Sequence, residues 1–199
     1  MYTVIRRYKT DPSSIDEIVR RAGEGFVPII SSAPGFVSYR ILDAGNGELI
    51  TVSVFEDQAG GEASVSMAAG WVRENLASLV PNPPEVTGGQ ARIRQVSSQV
   101  DLRYGVMRRY KVDPAAVDEI ARRAAAGFVP IVSSVPGFAA YQLVDAGNGV
   151  VVTLSGFADR AGVEASTSKA AGWVKENLAS LAPNPPEVTY GEVKVSKVK

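Results

Sequence analysis

A chain of 199 residues with 45% apolar side chains is long enough for one large or two ordinary domains and too apolar for disorder. Its 21 basic and 21 acidic residues balance without a basic block, which argues against a nucleic-acid partner. It contains no cysteine and no histidine, which removes disulfides, thiolate chemistry, the commonest general base and the usual proximal haem ligand.

No apolar run reaches the length of a membrane span, and strand-like alternation begins at Tyr2, so mature structure from the N-terminus, no membrane partner and a cytoplasmic location are expected. Tyr2 to Tyr8 alternates as a strand. Asp11 then supplies a helix N-cap with Pro12 at the first helical position. Ile15, Ile18, Val19, Ala22, Phe26 and Ile29 share one face, which predicts a helix to about Ser32, kinked near Pro28. Phe36 to Asp43 and Glu48 to Phe55 read as two strands joined by the tight turn "AGNG". Asp57 caps a second helix over about 58–79, "PNPP" stops it, and a last strand runs from Glu85 to about Gln95.

The whole pattern then repeats 102 residues later. "RRYKTDPSSIDEI" from Arg6 returns as "RRYKVDPAAVDEI" from Arg108, and "AAGWVRENLASL" from Ala68 returns as "AAGWVKENLASL" from Ala170. Roughly three aligned positions in five are identical, too few copies for a solenoid but enough for two paired units. The order strand, helix, strand, strand, helix, strand is the ferredoxin-like arrangement. The domains expected are a repeat over 1–95, a linker over 96–103 and a repeat over 104–199, with the two antiparallel sheets packed face to face as an intramolecular pseudo-dimer. Simple two-residue loops would place Tyr39 and Ile41 with Ile50, Val52 and Val54, and Ser38 and Arg40 with Thr51 and Ser53.

Two stretches, "GFVSYRILDAGNGELITVSVFED" from Gly35 and "GFAAYQLVDAGNGVVVTLSGFAD" from Gly137, each followed by an alanine-rich helix, resemble the dimeric α+β barrel superfamily, in particular antibiotic biosynthesis monooxygenase (ABM) proteins. The resemblance covers nearly the whole chain and implies a single-chain dimeric α+β barrel. It also implies either an oxygenase acting on an aromatic or quinone-like molecule without metal or other cofactor, or a non-catalytic ligand-binding or interaction protein on the same fold. The missing histidine departs from haem-binding members, so that activity is not carried over.

On the second helix, Val65, Ala69, Val72, Leu76 and Leu79 form the stripe expected to face the sheet, and Ser64, Ala68, Trp71 and Asn75 form another, about a third of a turn away. Trp71 and Asn75, with Trp173 and Asn177, can line a flat pocket and offer a donor and an acceptor to a phenol or quinone oxygen; equally, the indoles can anchor a helix or a further homodimer. Trp71 is expected over Met67 and Ala68. Arg6 and Arg7 point to opposite faces of their strand, so one of them can meet an enolate or phenolate in an interior. Tyr39 and Tyr141 are candidates for the same anion. No catalytic base and no metal ligand set is identified. Divergent pairs, including Arg40 and Gln142 or Met67 and Lys169, would make the two pockets unequal.

Overall fold

The computed structural model describes residues 1–97 and 99–199; Ser98, inside the segment read as a linker, lies outside the described residues. The first repeat runs β1 (Tyr2–Lys9), α1 (Ile15–Arg21), α2 (Val27–Ser31), β2 (Phe36–Gly45), β3 (Glu48–Phe55), α3 (Gln58–Asn75) and β4 (Glu85–Val96). The second runs β5 (Tyr104–Lys111), α4 (Val117–Arg123), α5 (Val129–Ser133), β6 (Phe138–Asp145), β7 (Val150–Phe157), α6 (Arg160–Asn177) and β8 (Glu187–Val198). The strands follow the hydrogen-bonded order β1-β3-β2-β8-β5-β7-β6-β4, which closes on itself, so the fold is the α+β barrel of two ferredoxin-like repeats expected from the element order.

Packing divides the chain into one unit of 1–90 with 191–199 and another of 91–190. β4 and β8 are therefore each shared along their length. In the first unit the end of β8 pairs with β2, from Asp43 opposite Glu192 to Ser38 opposite Val198. Each unit has its own apolar cluster between helices and sheet, around Phe26, Ile30, Tyr39 and Phe55 in the first and Phe128, Val132, Tyr141 and Phe157 in the second.

Local chemistry explains the helix ends. The Asp11 side chain accepts from Ser13 N–H and opens a short 3₁₀ turn at Pro12–Ser14; the Asp57 side chain accepts from Gly60 N–H and opens α3. The expected kink near Pro28 is a five-residue π turn, Ala22–Phe26, between α1 and α2, in which Val27 N–H reaches Ala22 O. Proline has no N–H for the helical ladder and its ring crowds the preceding turn, so the chain widens just before it.

The hairpin differs from its expected register, and the reason is one residue. Gly45 pairs with Glu48 across the Asn46-Gly47 turn, but Asp43 pairs with Leu49, which leaves Ala44 as an extra residue in β2. Gly45, Asn46 and Gly47 all have positive φ, which the tight turn and its bulge require. A slip of one flips every side chain upstream. Tyr39 therefore stands opposite Ser53 and Ile41 opposite Thr51, while Ser38 stands opposite Val54 and Arg40 opposite Val52. The same flip recurs in the second hairpin, with Tyr141 opposite Ser155 and Leu143 opposite Thr153.

The sheet-facing stripe of α3 is corrected as well. Gly61, Ser64, Ala68 and, just past its end, Leu76 are buried, Val65 and Val72 are half-buried, and Ala69 is exposed. Small side chains let the helix lie close: a Cβ added at Gly61 would come within 2.4 Å of the Tyr2 ring. Ser64 is buried because its hydroxyl is satisfied twice, donating to Gly61 O and accepting from Arg6.

Candidate functional site

The corrected register places polar side chains together on the helix-facing side of each unit's sheet. β1 pairs with β3 so that Arg6 stands opposite Thr51, Tyr8 opposite Leu49 and Val4 opposite Ser53. Side chains of one strand alternate, so Arg6 and Tyr8 share a face with Tyr39, Thr51 and Ser53. Arg7 points to the other face, where its guanidinium meets Glu48 at 2.8 Å and Glu48 also takes Lys9 at 2.9 Å. Of the two arginines considered from sequence, Arg6 is thus the interior one.

Arg6 is 1% exposed. Its Nη1 donates to Ser53 Oγ at 2.9 Å and its Nη2 to Ser64 Oγ at 2.7 Å, while its Nε is buried without a hydrogen-bond partner among the described residues. Burial pushes its pKa below the ordinary arginine value, and the neighbouring ionisable groups that oppose that shift are Tyr8 and Tyr39, not carboxylates. Arg108 repeats this arrangement at 3% exposure, with Ser155 Oγ at 3.3 Å, Ser166 Oγ at 3.4 Å and Thr167 Oγ1 at 2.9 Å. Burial likewise lowers its pKa, opposed by Tyr110, Tyr141 and Tyr190.

A guanidinium removed from water normally brings a carboxylate with it, because hydroxyls alone leave its charge uncompensated. Both arginines therefore sit in an electrostatic setting that an incoming anion would complete. The tyrosines around them are proton donors rather than bases. Burial raises Tyr8, Tyr39, Tyr110 and Tyr141 above the ordinary phenol value, and the nearby guanidinium only partly offsets this.

The tryptophans close an apolar chamber beside these groups. Trp71 tilts against Phe26 at a ring-centroid distance of 5.5 Å, and Phe26 meets Tyr39 edge-on at 5.6 Å. Trp173, Phe128 and Tyr141 repeat the cluster at 5.6 and 5.5 Å. Rather than resting over Met67 and Ala68 alone, the indole of Trp71 crosses to the π turn, where a Cβ on Gly25 would stand 2.9 Å from it; Gly127 stands in the same relation to Trp173 at 3.0 Å. Each chamber encloses about 30 Å³, enough for a water and far below a ligand.

Asn75 and Asn177 lie outside these chambers. Each is exposed and donates through Nδ2 to the backbone oxygen of its own tryptophan at 2.9 Å, capping the helix end. Their backbone oxygens accept from Arg21 and Arg123.

The first unit also has a cleft of about 410 Å³ on the other flank of α3, reached by Arg6 and Tyr8 and roofed by the Pro81–Pro84 segment. Tyr8, Tyr110, Ser64 and Ser166 were not singled out from sequence. Tyr8 was signalled by its place two residues beyond Arg6 on a strand, and Ser64 by its place on the helical stripe of Trp71. Among the described residues no three His, Cys, Asp or Glu side chains cluster as a metal site, and no helix is long and apolar enough to cross a membrane.

The sequence profile of the family described as "Antibiotic biosynthesis monooxygenase" matches residues 1–69 and again 103–171. No curated protein matches the chain. Among solved structures, a "putative monooxygenase" from Lactobacillus acidophilus is similar at a TM-score of 0.78 and 11% identity, covering 99% of this chain and 95% of that one. A second protein so described, from Fusobacterium nucleatum, gives 0.77 and 11%, covering 100% and 94%. An "anthrone oxidase-like protein" gives 0.65 and 15%, covering 99% and 92%. At such identities the likeness is one of fold.

Proposed function

Because the chain belongs to the antibiotic biosynthesis monooxygenase family, we propose that it is a cytoplasmic ABM-type oxygenase acting, without a metal, on an aromatic or quinone-forming small molecule held beside its buried arginines. The observation that carries this reading is the uncompensated guanidinium on the helix-facing sheet in each repeat, 1–95 and 104–199 about the 96–103 linker. Arg6 lowers the cost of ionising a bound phenol or enol by stabilising its anion, and the neutral Tyr39 supplies a hydrogen-bond donor nearby; Arg108 and Tyr141 repeat the charge and the phenol beside a chamber of about 30 Å³. Trp71 and Trp173 back these groups from the aromatic clusters with Phe26 and Phe128.

The chemistry required of the protein is modest. The substrate's own carbanion gives up electrons to dioxygen; a methylene flanked by aromatic rings loses two hydrogens and gains one oxygen atom as a carbonyl, and the second oxygen atom leaves as water. The protein binds, orients and stabilises the anion. Proton removal falls to water, since the nearby tyrosines are held protonated.

A second reading, a binding protein without turnover, is favoured by the lack, among the described residues, of a basic group at the arginines. Titration with anthrone, naphthoquinones and flavonoids, read by tryptophan fluorescence and paired with dioxygen consumption, separates the two. Saturable quenching with oxygen uptake supports the oxygenase, quenching alone supports the binding protein, and flat titrations with blue, acrylamide-shielded emission overturn both.

A further inference from the structure

We infer that the cleft of the first unit is a binding site for an apolar aromatic body of one to three rings carrying a single ionised carboxylate, which meets Arg6 at the inner end. The inference shares Arg6 with the proposed oxygenase but stands on equilibrium binding and does not need turnover.

Four observations lead there. The cleft measures about 410 Å³, within the range of small-molecule pockets, whereas the tryptophan chamber in the same unit measures about 30 Å³. Its walls are apolar along most of their length: Val65, Ala68, Ala69 and Val72 from α3, and Val86 from β4. Its roof is stiff, since Pro81, Pro83 and Pro84 fix their backbone angles. At its inner end stands Arg6, a buried guanidinium answered, among the described residues, only by hydroxyls and phenols.

These features select a ligand by chemistry. An uncharged apolar molecule would fill the walls and leave the guanidinium uncompensated. A small anion would answer the charge and leave the walls wet. A polyanion would bring charges with no partner at the apolar walls. A planar hydrocarbon with one carboxylate satisfies both ends, and two parallel N–H donors suit a carboxylate's two oxygens. Exposed Arg73, which also lines the cleft, adds positive potential for the approaching anion.

Isothermal titration of the full chain with 2-naphthoate, against its neutral isostere 2-naphthamide, tests this. The expected result is saturable binding of one naphthoate per chain, with the amide at least tenfold weaker. Arg6→Gln should weaken naphthoate at least tenfold. Ala69→Trp, a change at an exposed helical position that fills the cleft and leaves Arg6 in place, should do the same in a protein whose circular dichroism is unchanged. If Arg6→Gln does not fold, Ala69→Trp and the amide decide. Absent naphthoate binding, equal affinity for the amide, or unchanged binding to Ala69→Trp overturns the inference. Naphthoate has no enolisable carbon, so naphthoate binding without oxygen uptake from anthrone would sink the oxygenase reading and keep this one, while uptake without naphthoate binding would do the reverse.

Discussion

The two buried arginines occupy equivalent positions and carry nearly identical surroundings, yet they face different spaces. Arg6 makes two short bonds, to Ser53 and Ser64, and borders a cleft of about 410 Å³. Arg108 makes three, the shortest to Thr167, and borders a chamber of about 30 Å³. Where Thr167 stands, the first repeat has Val65. A hydroxyl in the second helix thus takes up a donor that the first repeat leaves for something else. Duplication preserved the charge in both copies, and a methyl of Val65 in place of the Thr167 hydroxyl leaves Arg6 with one hydroxyl partner fewer.

The largest effect expected from breaking the comparison is in the cores, where the units should behave alike. Phe26→Ala and Phe128→Ala each remove a ring more than nine-tenths buried and should each cost about 3–5 kcal/mol in urea unfolding. Clearly unequal losses would place the difference between the units in packing rather than at the arginines. Gly25→Ala and Gly127→Ala come next, at about 1–3 kcal/mol each, because a new Cβ must push the indole off the π turn; a red shift of tryptophan emission should accompany the loss.

These two glycines also mark what the sequence could and could not reveal. The element order, both N-caps and the disturbance at Pro28 were legible, since each rests on local chemistry that a few neighbouring residues decide. The faces of the hairpin were not. They hinge on whether Ala44 is paired or bulged, a choice of one residue that the loop's composition permits either way, and the wrong choice separated Tyr39 from Thr51 and Ser53. The helix stripe failed for a related reason. Counting apolar residues favoured Ala69 and Val65, whereas close approach to the sheet favoured Gly61, Ser64 and Ala68, with the serine made burial-tolerant by an arginine 58 positions away. Trp71 was visible as a candidate; its seat on Gly25, across a tertiary contact, was not.

A smaller change sharpens the comparison. Thr167→Val removes the shortest bond to Arg108 and should cost about 1 kcal/mol. Its reciprocal, Val65→Thr, should give Arg6 a competing acceptor and weaken naphthoate binding in calorimetry. If Val65→Thr leaves the affinity unchanged, the hydroxyl is not what distinguishes the two arginines.

The smallest effect concerns a feature the repeats share. Arg20 and Arg21 hold Glu17 down to about 2, and Arg122 and Arg123 do the same for Glu119, against an ordinary value of 4.5. A carboxylate depressed on folding contributes stability that is full above its unfolded value and fades as pH falls through its folded one, so this contribution should disappear between about 4.5 and 2. Both glutamates are on the surface, so Glu17→Gln and Glu119→Gln should each flatten the acid limb of a pH–Tm curve slightly and equally.

Dioxygen uptake with anthrone, measured for the Arg6→Gln and Arg108→Gln proteins side by side, tests the central claim most directly. The account predicts that uptake collapses in Arg6→Gln and largely survives in Arg108→Gln, because Arg6 lines a cleft of about 410 Å³ whereas the chamber that Arg108 lines measures about 30 Å³. Equal loss in both proteins would contradict the asymmetry, and undiminished uptake in Arg6→Gln would remove the buried guanidinium from the chemistry.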